Sequence, residues 1–195
     1  MIAQNESDHA TRAFMIFECL VPPGQEGKSF WDAGQNQYVT AEAVRRGMRL
    51  DPPYDIILMY DILDHQIDKN PVDVLAEAKA LLSPDGIIVA RMHPWCSRHA
   101  THLYHKYNKA YLHLLMSESE LTKAGLVGTP TRKDVTPPTT YRNWIDAAGL
   151  SVVYEELVRQ PVEGIFKQQQ VMNFITLNDK SLMDITYVDY LIEKL

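Results

Sequence analysis

The stretch Tyr54–Trp95 has the sequence YDIILMYDILDHQIDKNPVDVLAEAKALLSPDGIIVARMHPW. Its apolar run Ile56–Met59 does not alternate with polar residues, as expected of a parallel strand that is covered on both faces. Asn70-Pro71 is a typical N-cap and first-turn pair, and apolar residues then recur at helical spacing. Ser83-Pro84-Asp85-Gly86 ends this helix before a second apolar run, Ile87–Met92. A strand, a helix and a strand joined by short turns predict a right-handed crossover unit of a parallel sheet.

Segments upstream of this unit predict short elements. Ala13–Val21, with the sequence AFMIFECLV, predicts a buried strand that stops at Pro22-Pro23-Gly24. Ser29–Asp32 predicts a second short strand. Thr40 is a suitable N-cap for a short helix through Val44, and the residues before Tyr54 include a Pro-Pro pair that must break regular structure.

The segments downstream predict two further helices and the end of the sheet. Ser117 and Glu120 form a capping-box pair, and Thr140 is placed to cap a helix that ends at Gly149. Leu150–Val158 and Lys167–Leu177 then predict an antiparallel hairpin. The remaining residues, to Leu195, are expected to form a helix or an arm.

Composition restricts the class of protein. The chain has 195 residues, of which 46% are hydrophobic, so one domain with a buried core is expected. Its net charge is -6 and its pI is about 5.6, which argues against nonspecific binding to polyanions. Two cysteines without metal-type spacing favour a reducing compartment. The polar first dozen residues and the lack of an apolar run of about 20 residues predict a cytoplasmic protein without a membrane segment.

Four motifs in this order resemble the class I S-adenosylmethionine-dependent methyltransferase family. They cover roughly residues 54–177. The four motifs are YDIILMYDILDHQ, LLSPDGIIVARMHP, YRNWIDAAGLSV and the hairpin of Leu150–Leu177. The resemblance implies an α/β fold, namely a Rossmann-like three-layer sandwich whose mostly parallel sheet ends in an antiparallel C-terminal hairpin.

The resemblance also implies a division of the chain. Residues 1–195 form one methyltransferase-like domain, in which 1–53 is a divergent, shortened cofactor half, 54–177 matches better, and 178–195 is a C-terminal arm. The segment that begins at His93 with HPWCSRHATHLYHKYNKAYLHLL is similar to methyltransferase-like proteins of bacteriophages. That similarity implies a second expected location, in which the protein is assembled into a virion inside a host cell.

The cofactor half departs from the family. Class I enzymes have an acidic residue and a G-x-G loop after the first strand, because glycines let the backbone approach a ligand closely. Here Glu18 is followed by a glycine only at Gly24, and Asp32-Ala-Gly34 leaves little chain before Tyr54. The resemblance implies S-adenosylmethionine as cofactor. The residues expected to bind it are Glu18, Gly24, Asp32, Asp61, Ile62 and His65.

A histidine-rich segment follows the second strand of the crossover unit. His93, Arg98 and His99 are the predicted catalytic residues, since a histidine can take a proton from a nucleophile and an arginine can bind phosphate or carboxylate. The alternative is that these side chains only anchor a loop. Asp61 and His65 have a similar alternative, in which they brace the turn before the helix.

The same segment has features that bear on metal binding and on macromolecular partners. His99, His102 and His105 are three residues apart, but no carboxylate or thiolate ligand accompanies them in the sequence, so no metal is predicted. The tyrosines and leucines of residues 104–115 predict an amphipathic helix that packs in the core or on a second subunit. Lys106, Lys109 and Arg98 give local positive charge that is compatible with a nucleotide or nucleic-acid substrate.

Two functions therefore compete at the level of sequence. The first is a methyltransferase that transfers the methyl group of S-adenosylmethionine to an acceptor bound under residues 93–105. The second is a catalytically inactive protein of the same fold that serves as a structural or partner-binding module, for example in a bacteriophage virion. The retained acidic residues favour the first, and the missing G-x-G favours the second.

Overall fold

The computed structural model describes residues 13–17, 29–32, 37–40, 53–65, 67, 69–134, 139–162 and 180–195, the first three ranges by their backbone pairing. Seven strands lie in these residues: β1 (Ala13–Phe17), β2 (Ser29–Asp32), β3 (Gln37–Thr40), β4 (Tyr54–Tyr60), β5 (Leu82–Met92), β6 (Leu150–Arg159) and β7 (Ile185–Lys194). The helices are α1 (Pro71–Leu81), α2 (Leu103–Tyr107), α3 (Leu112–Leu115), α4 (Glu118–Lys123) and α5 (Thr139–Ala147), with short 3-10 segments at Ala100–His102 and Lys180–Asp184.

The strands form one mixed sheet in the order β3-β2-β1-β4-β5-β7-β6. Only β4 has parallel neighbours on both sides, β1 and β5, whereas β2 and β7 run antiparallel to the strands beside them. The α/β class predicted from the sequence is confirmed, but the mostly parallel arrangement is not. The short connections from β1 to β2 and from β2 to β3 suit antiparallel pairing, because a parallel crossover needs a dozen or more residues.

The crossover unit at the centre of the sheet agrees with its sequence. Asn70 caps α1 by accepting a hydrogen bond from the Val72 N–H at 3.1 Å, and Pro71 occupies the first turn. Pro71, Leu75 and Ala78 are the buried residues of this helix. Regular pairing of β5 with β4 begins at Ile87, opposite Ile56, after an irregularity in the register at Pro84-Asp85-Gly86. β4 and β5 therefore end at the same edge of the sheet, where Tyr60 lies opposite Arg91.

The C-terminal residues form a strand inside the sheet. β7 pairs antiparallel with both β5 and β6, so the partner of Leu150–Val158 is Ile185–Lys194. The sequence analysis expected a helix or an arm there and predicted Lys167–Leu177 as the partner, a segment that lies outside the described residues. Side chains of β7 alternate in burial, with Val188, Tyr190 and Ile192 almost fully buried. This period of two is the signal of a strand packed on its core face.

The segment after β5 is a series of short turns. It contains α2 and α3, which are five and four residues long, instead of the single amphipathic helix that was predicted. The backbone takes left-handed conformations at Thr101, His102, Asn108 and Tyr111, with φ between 51° and 64°. His102 and Tyr111 directly precede α2 and α3, and Asn108 directly follows α2. These residues separate the short helices, because L-residues do not propagate a left-handed helix.

The remaining helices match their predicted signals closely. Ser117 and Glu120 form the capping box of α4, and Gly149, with φ of 69°, follows the C-terminus of α5. The α5 helix begins at Thr139, so Thr140 lies within it. The predicted helix that starts after Thr40 lies outside the described residues. No helix in the described part of the chain is long and apolar enough to cross a membrane.

Candidate functional site

A pocket of about 380 Å³ opens where β4 and β5 end. In parallel α/β sheets the carboxyl ends of the strands are the edge at which ligands bind. The pocket is formed by the ends of β4 and β5, the histidine-rich segment, the residue after β6 and the start of β7. Its lining residues are Tyr60, Asp61, Arg91, His93, His99, His105, Gln160, Thr186 and Tyr187.

Asp61 and His93 are the first residues after β4 and β5. The Asp61 N–H donates to the carbonyl of Arg91 at 2.9 Å, which continues the pairing of the two strands by one residue. Asp61 then takes a left-handed conformation with φ of 55°, which aspartate tolerates better than most residues. Its Oδ1 lies 2.6 Å from His93 Nδ1. A carboxylate only accepts, so His93 Nδ1–H is the donor.

Asp64 lies beneath this pair and is completely buried. Its Oδ2 accepts a hydrogen bond from the His93 backbone N–H at 3.0 Å. Its Oδ1 has no hydrogen-bond partner among the described residues. Since a buried carboxylate oxygen without a partner costs free energy, this position calls for an explanation.

The three groups have different acidities. Burial raises the pKa of Asp64. Burial alone would also raise the pKa of Asp61, but the hydrogen bond and charge of His93 outweigh it and the pKa is lowered. Burial alone would lower the pKa of His93, but its hydrogen bond to Asp61 and both carboxylates raise it. Each of these two shifts favours the charged form of the group, so the Asp61 carboxylate and the His93 imidazolium stabilise each other.

His65 and His102 pack behind Asp64. His65 Nδ1 lies 2.8 Å from the carbonyl of Pro130 and must donate to it, because a carbonyl only accepts. The two Nε2 atoms are 2.7 Å apart, and burial lowers the pKa of His102 to about 4. The two Nε2 atoms therefore share one hydrogen bond, and His102 Nδ1 is buried without a partner among the described residues.

His99 and His105 lie on the pocket wall. His99 Nδ1 and His105 Nε2 are 3.1 Å apart, and the rings stack with their centroids separated by 4.8 Å. Burial and the neighbouring His93 lower the pKa of His99 to about 4, so the ring is neutral at neutral pH. A neutral imidazole beside a pocket can accept a proton or a hydrogen bond from a ligand.

The opposite wall of the pocket comes from β7. Arg91 donates two hydrogen bonds, each 2.7 Å long, to the carboxylate of Asp189. Its guanidinium also stacks on Tyr187, 3.9 Å from the ring centroid. The Tyr187 ring in turn meets His93 edge-on, with centroids 5.9 Å apart. This fixed aromatic wall suits a ligand with a planar or cationic group.

The structure gathers some of the predicted site residues and not others. Asp61, His93 and His99 line one pocket. Ile62 is 2% exposed and belongs to the core, and His65 is buried behind Asp64. Arg98 is not among the residues that line the pocket; its guanidinium reaches the carbonyl of Pro161 at 3.4 Å and lies over Tyr104.

The predicted cofactor residues near β1 are described only in part. Glu18 and Gly24 lie outside the described residues. Asp32 is the last residue of β2, where its backbone pairs with Phe14 of β1 and Gln37 of β3. β1 and β4 run parallel with Phe17 opposite Tyr60, so these two strands also end at the same edge of the sheet.

Sequence reasoning missed several residues of the site. Asp64 carried a readable signal, because Asp61-Ile-Leu-Asp64-His65 places three ligand-type side chains directly after a buried strand. Thr186 and Tyr187 could not be recognised, since the C-terminal segment was not expected to enter the sheet. Arg91 was assigned to a buried strand, and its ion pair with Asp189 depends on a partner 98 residues away.

Comparisons with known proteins identify methyltransferases as structural neighbours. No protein-family model matches the chain, and no curated protein matches its sequence. The mitomycin 7-O-methyltransferase MmcR is 11% identical, with 75% of this chain and 31% of that chain covered and a TM-score of 0.38. The CcbJ methyltransferase from Streptomyces caelestis is 12% identical, with 75% and 59% covered and a TM-score of 0.41.

A third similar structure contains two proteins. It is the complex between the Haloferax volcanii Trm112 methyltransferase activator and a candidate methyltransferase, with 11% identity, 75% of this chain and 57% of that chain covered, and a TM-score of 0.39. The present chain thus spans between about a third and three fifths of the length of these structures. Because all three TM-scores are below 0.5, the description of the fold rests on the strand order and register.

Proposed function

We propose that the chain is an S-adenosylmethionine-dependent methyltransferase whose acceptor binds in the pocket at the carboxyl ends of β4 and β5. The position of this pocket carries the proposal. The parallel strands β1, β4 and β5 end at this edge of the sheet, and open α/β sheets bind ligands outside the carboxyl ends of their parallel strands. The three sequence motifs YDIILMYDILDHQ, LLSPDGIIVARMHP and YRNWIDAAGLSV, which resemble the family, support the same function.

The chemistry of methyl transfer suits a pocket of this kind. The acceptor atom attacks the methyl carbon, the carbon–sulfur bond breaks, and S-adenosylhomocysteine leaves. The reaction depends chiefly on aligning the nucleophile, the methyl carbon and the sulfur. Asp61 and His93 offer hydrogen-bonding groups that orient an acceptor, and neutral His99 is the group proposed to receive the acceptor's proton.

The cofactor is proposed to lie on the β1 side of the pocket. Parallel β1 and β4 end at the same edge, and Glu18 directly follows β1 in the sequence. We assign Glu18, Gly24, Asp32 and Asp61 to this cofactor region. Ile62 and His65, predicted with them, are proposed to support Asp61 from below, in keeping with their burial.

Calorimetric titration with S-adenosylmethionine and S-adenosylhomocysteine, in buffer that contains EDTA, tests the proposal. We expect a dissociation constant in the micromolar range for both ligands. Asp61→Ala should weaken the binding of both, whereas His99→Gln should spare binding and reduce turnover. Asp55→Asn, at the opposite end of β4, is the matched control and should leave both quantities unchanged.

The inactive alternative makes the opposite prediction. A chain that gives no heat and no thermal shift with either ligand at millimolar concentration does not carry out this reaction. Capture of a protein partner or self-association would then favour the structural role expected from the bacteriophage resemblance. Retained affinity in Asp61→Ala would place the cofactor elsewhere.

A further inference from the structure

Three side chains at the base of the pocket converge on one point. Asp61, Asp64 and His93 each offer one oxygen or nitrogen atom, and these atoms all lie within 4.8 Å of one another. Asp61 Oδ1 is 2.6 Å from His93 Nδ1, and His93 Nδ1 is 3.9 Å from Asp64 Oδ2. The three residues come from two loops, after β4 and after β5, that the parallel strands hold side by side.

The distances between these atoms bracket the spacing expected around a small divalent cation, so the side chains must adjust when an ion binds. Protein ligands lie about 2.1 Å from such an ion, so two ligands of one ion are separated by roughly 3.0–3.4 Å. The two distances to His93 Nδ1 lie on either side of that range. Carboxylate oxygen combined with imidazole nitrogen is a donor set for Zn²⁺ or Mn²⁺ rather than for Mg²⁺, which prefers oxygen alone.

Asp64 supplies an independent observation. It is completely buried, its carboxylate lies at this point of convergence, and its Oδ1 has no hydrogen-bond partner among the described residues. A buried carboxylate with an unpartnered oxygen is unfavourable unless a positive charge balances it. A cation held by Asp61, Asp64 and His93 supplies that charge.

The neighbours of the three side chains hold them in place. The His93 backbone N–H donates to Asp64 Oδ2, and His65 Nε2 lies 3.6 Å from the same oxygen. His65 is itself fixed by the Pro130 carbonyl, and His102 packs on it with ring centroids 4.7 Å apart. Hydrogen-bonded support of this kind orients the ligands of protein metal sites.

We propose that Asp61, Asp64 and His93 form a binding site for one divalent transition-metal ion, Zn²⁺ or Mn²⁺, which replaces the proton that His93 Nδ1 donates to Asp61 in the absence of the ion. Asp61 and His93 line the pocket while Asp64 lies below it, so the coordination positions that the protein leaves open are on the pocket side. Three protein ligands with open positions are typical of ions that bind a water or a substrate oxygen. This site does not depend on the methyltransferase proposal.

Calorimetric titration of EDTA-treated, dialysed protein with Zn²⁺, Mn²⁺ and Mg²⁺ tests the site in the absence of S-adenosylmethionine. We expect one Zn²⁺ or Mn²⁺ per chain, and weaker binding of Mg²⁺. Asp64→Asn and His93→Gln should each reduce the affinity at least about tenfold, since even the loss of a supporting residue costs that much. Asp61→Asn provides a less buried substitution if Asp64→Asn does not fold.

Two controls separate this site from others. Asp55→Asn, which lies about 20 Å away along β4, should bind the ion like the parent. His105→Gln should also retain the ion, because His105 is not one of the three ligands. Absence of binding to the parent, full affinity in Asp64→Asn and Asp61→Asn, or loss of the ion in His105→Gln would each overturn the proposal. Ion binding without S-adenosylmethionine binding would leave the site intact and refute only the proposed methyl transfer.

Discussion

The two ends of the β4–β5 pair differ in how fully their polar groups are hydrogen-bonded. At the amino end, Asp55 accepts one hydrogen bond from Ser83 Oγ at 2.9 Å, and Lys194 donates to the Leu82 carbonyl at 2.6 Å. At the carboxyl end, two aspartates and several histidines crowd around one pocket, and Asp64 is buried with one oxygen unpartnered. The amino end satisfies its polar groups, whereas the carboxyl end keeps groups that weaken the fold.

This difference makes the carboxyl end of the β4–β5 pair the better candidate for a functional site. Buried polar groups without full hydrogen bonding lower stability, and natural proteins retain them chiefly at functional sites. The same strands form both ends, so the requirements of the sheet do not explain the contrast. The predictions that follow use substitutions at and around the two ends to test it.

A buried histidine outside the carboxyl-end cluster gives the largest expected effect. Burial lowers the pKa of His113 to about 4, and its Nε2 donates to the Trp95 carbonyl at 2.9 Å. In the unfolded chain the histidine has an ordinary pKa of about 6.5, so as the pH falls it takes up a proton before the folded protein does. The contribution of His113 to the free energy of unfolding is therefore fully present above pH 6.5 and is lost as the pH falls toward 4. This one residue accounts for up to about 3 kcal/mol of that loss.

Urea unfolding at pH 7 and pH 4.5 measures the effect. In His113→Gln, whose amide can still donate to the Trp95 carbonyl, the free energy of unfolding should depend less on pH than in the parent. His99 and His102, whose pKa values are also lowered to about 4, leave part of the dependence in place. Equal pH dependence in parent and variant would show that His113 is not buried in its neutral form.

Gly86→Ala tests the amino end as a structural element. A Cβ at this position would lie 2.8 Å from the carbonyl oxygen of Tyr54, which is backbone and cannot move aside cheaply. We expect the free energy of unfolding to fall by about 2 kcal/mol, a typical cost of overpacking. Ligand affinity at the carboxyl end, measured by calorimetry on the folded variant, should not change; a parallel loss of affinity would contradict the separation of the two ends.

Asp64→Asn tests whether the buried carboxylate at the carboxyl end lowers the stability of the fold. The amide oxygen can still accept from the His93 N–H, while the cost of burying a charge is removed. In the presence of EDTA, the free energy of unfolding of the variant should be about 1 kcal/mol higher than that of the parent. A large loss of stability, measured by urea unfolding at neutral pH, would assign Asp64 a structural role instead.

Asp55→Asn should have the smallest effect. Asparagine retains an oxygen that accepts from Ser83, and the site is partly exposed, so we expect a change below about 0.5 kcal/mol in unfolding free energy. Calorimetry should show unchanged ligand affinity. An effect as large as that of Asp61→Asn would mean that the loss of any charge on β4 alters binding, and the contrast between the ends would fail.

Local signals explain which parts of the fold could be predicted. The Asn70-Pro71 cap and the Ser117–Glu120 capping box depend on residues close in sequence, and the structure confirms both. Pro84-Asp85-Gly86, predicted as a turn, lies instead within β5, where the register with β4 is irregular. The position of β7 between β5 and β6 depends on pairing across the whole chain. Its alternating residues are readable as a strand, but a strand pattern does not specify its partners.

The candidate site was predictable to a similar extent. Asp61, His93 and His99 follow recognisable strands, so their meeting at one edge could be expected. Asp64 is buried beneath them because the turn after β4 brings it under the His93 backbone, a detail of tertiary structure. The breaks at Thr101 and His102 fold the histidine-rich segment onto the pocket, and residues other than glycine give little sequence warning of a left-handed backbone.

Hydrogen–deuterium exchange with and without saturating S-adenosylhomocysteine tests the central claim most directly, because it reports on both ends of the β4–β5 pair in one experiment. We predict slower exchange in residues 61–65 and 93–105 on addition of the ligand, and unchanged exchange in residues 82–86. Protection of the amino end, or no protection at either end, would contradict a ligand site at the carboxyl ends of β4 and β5.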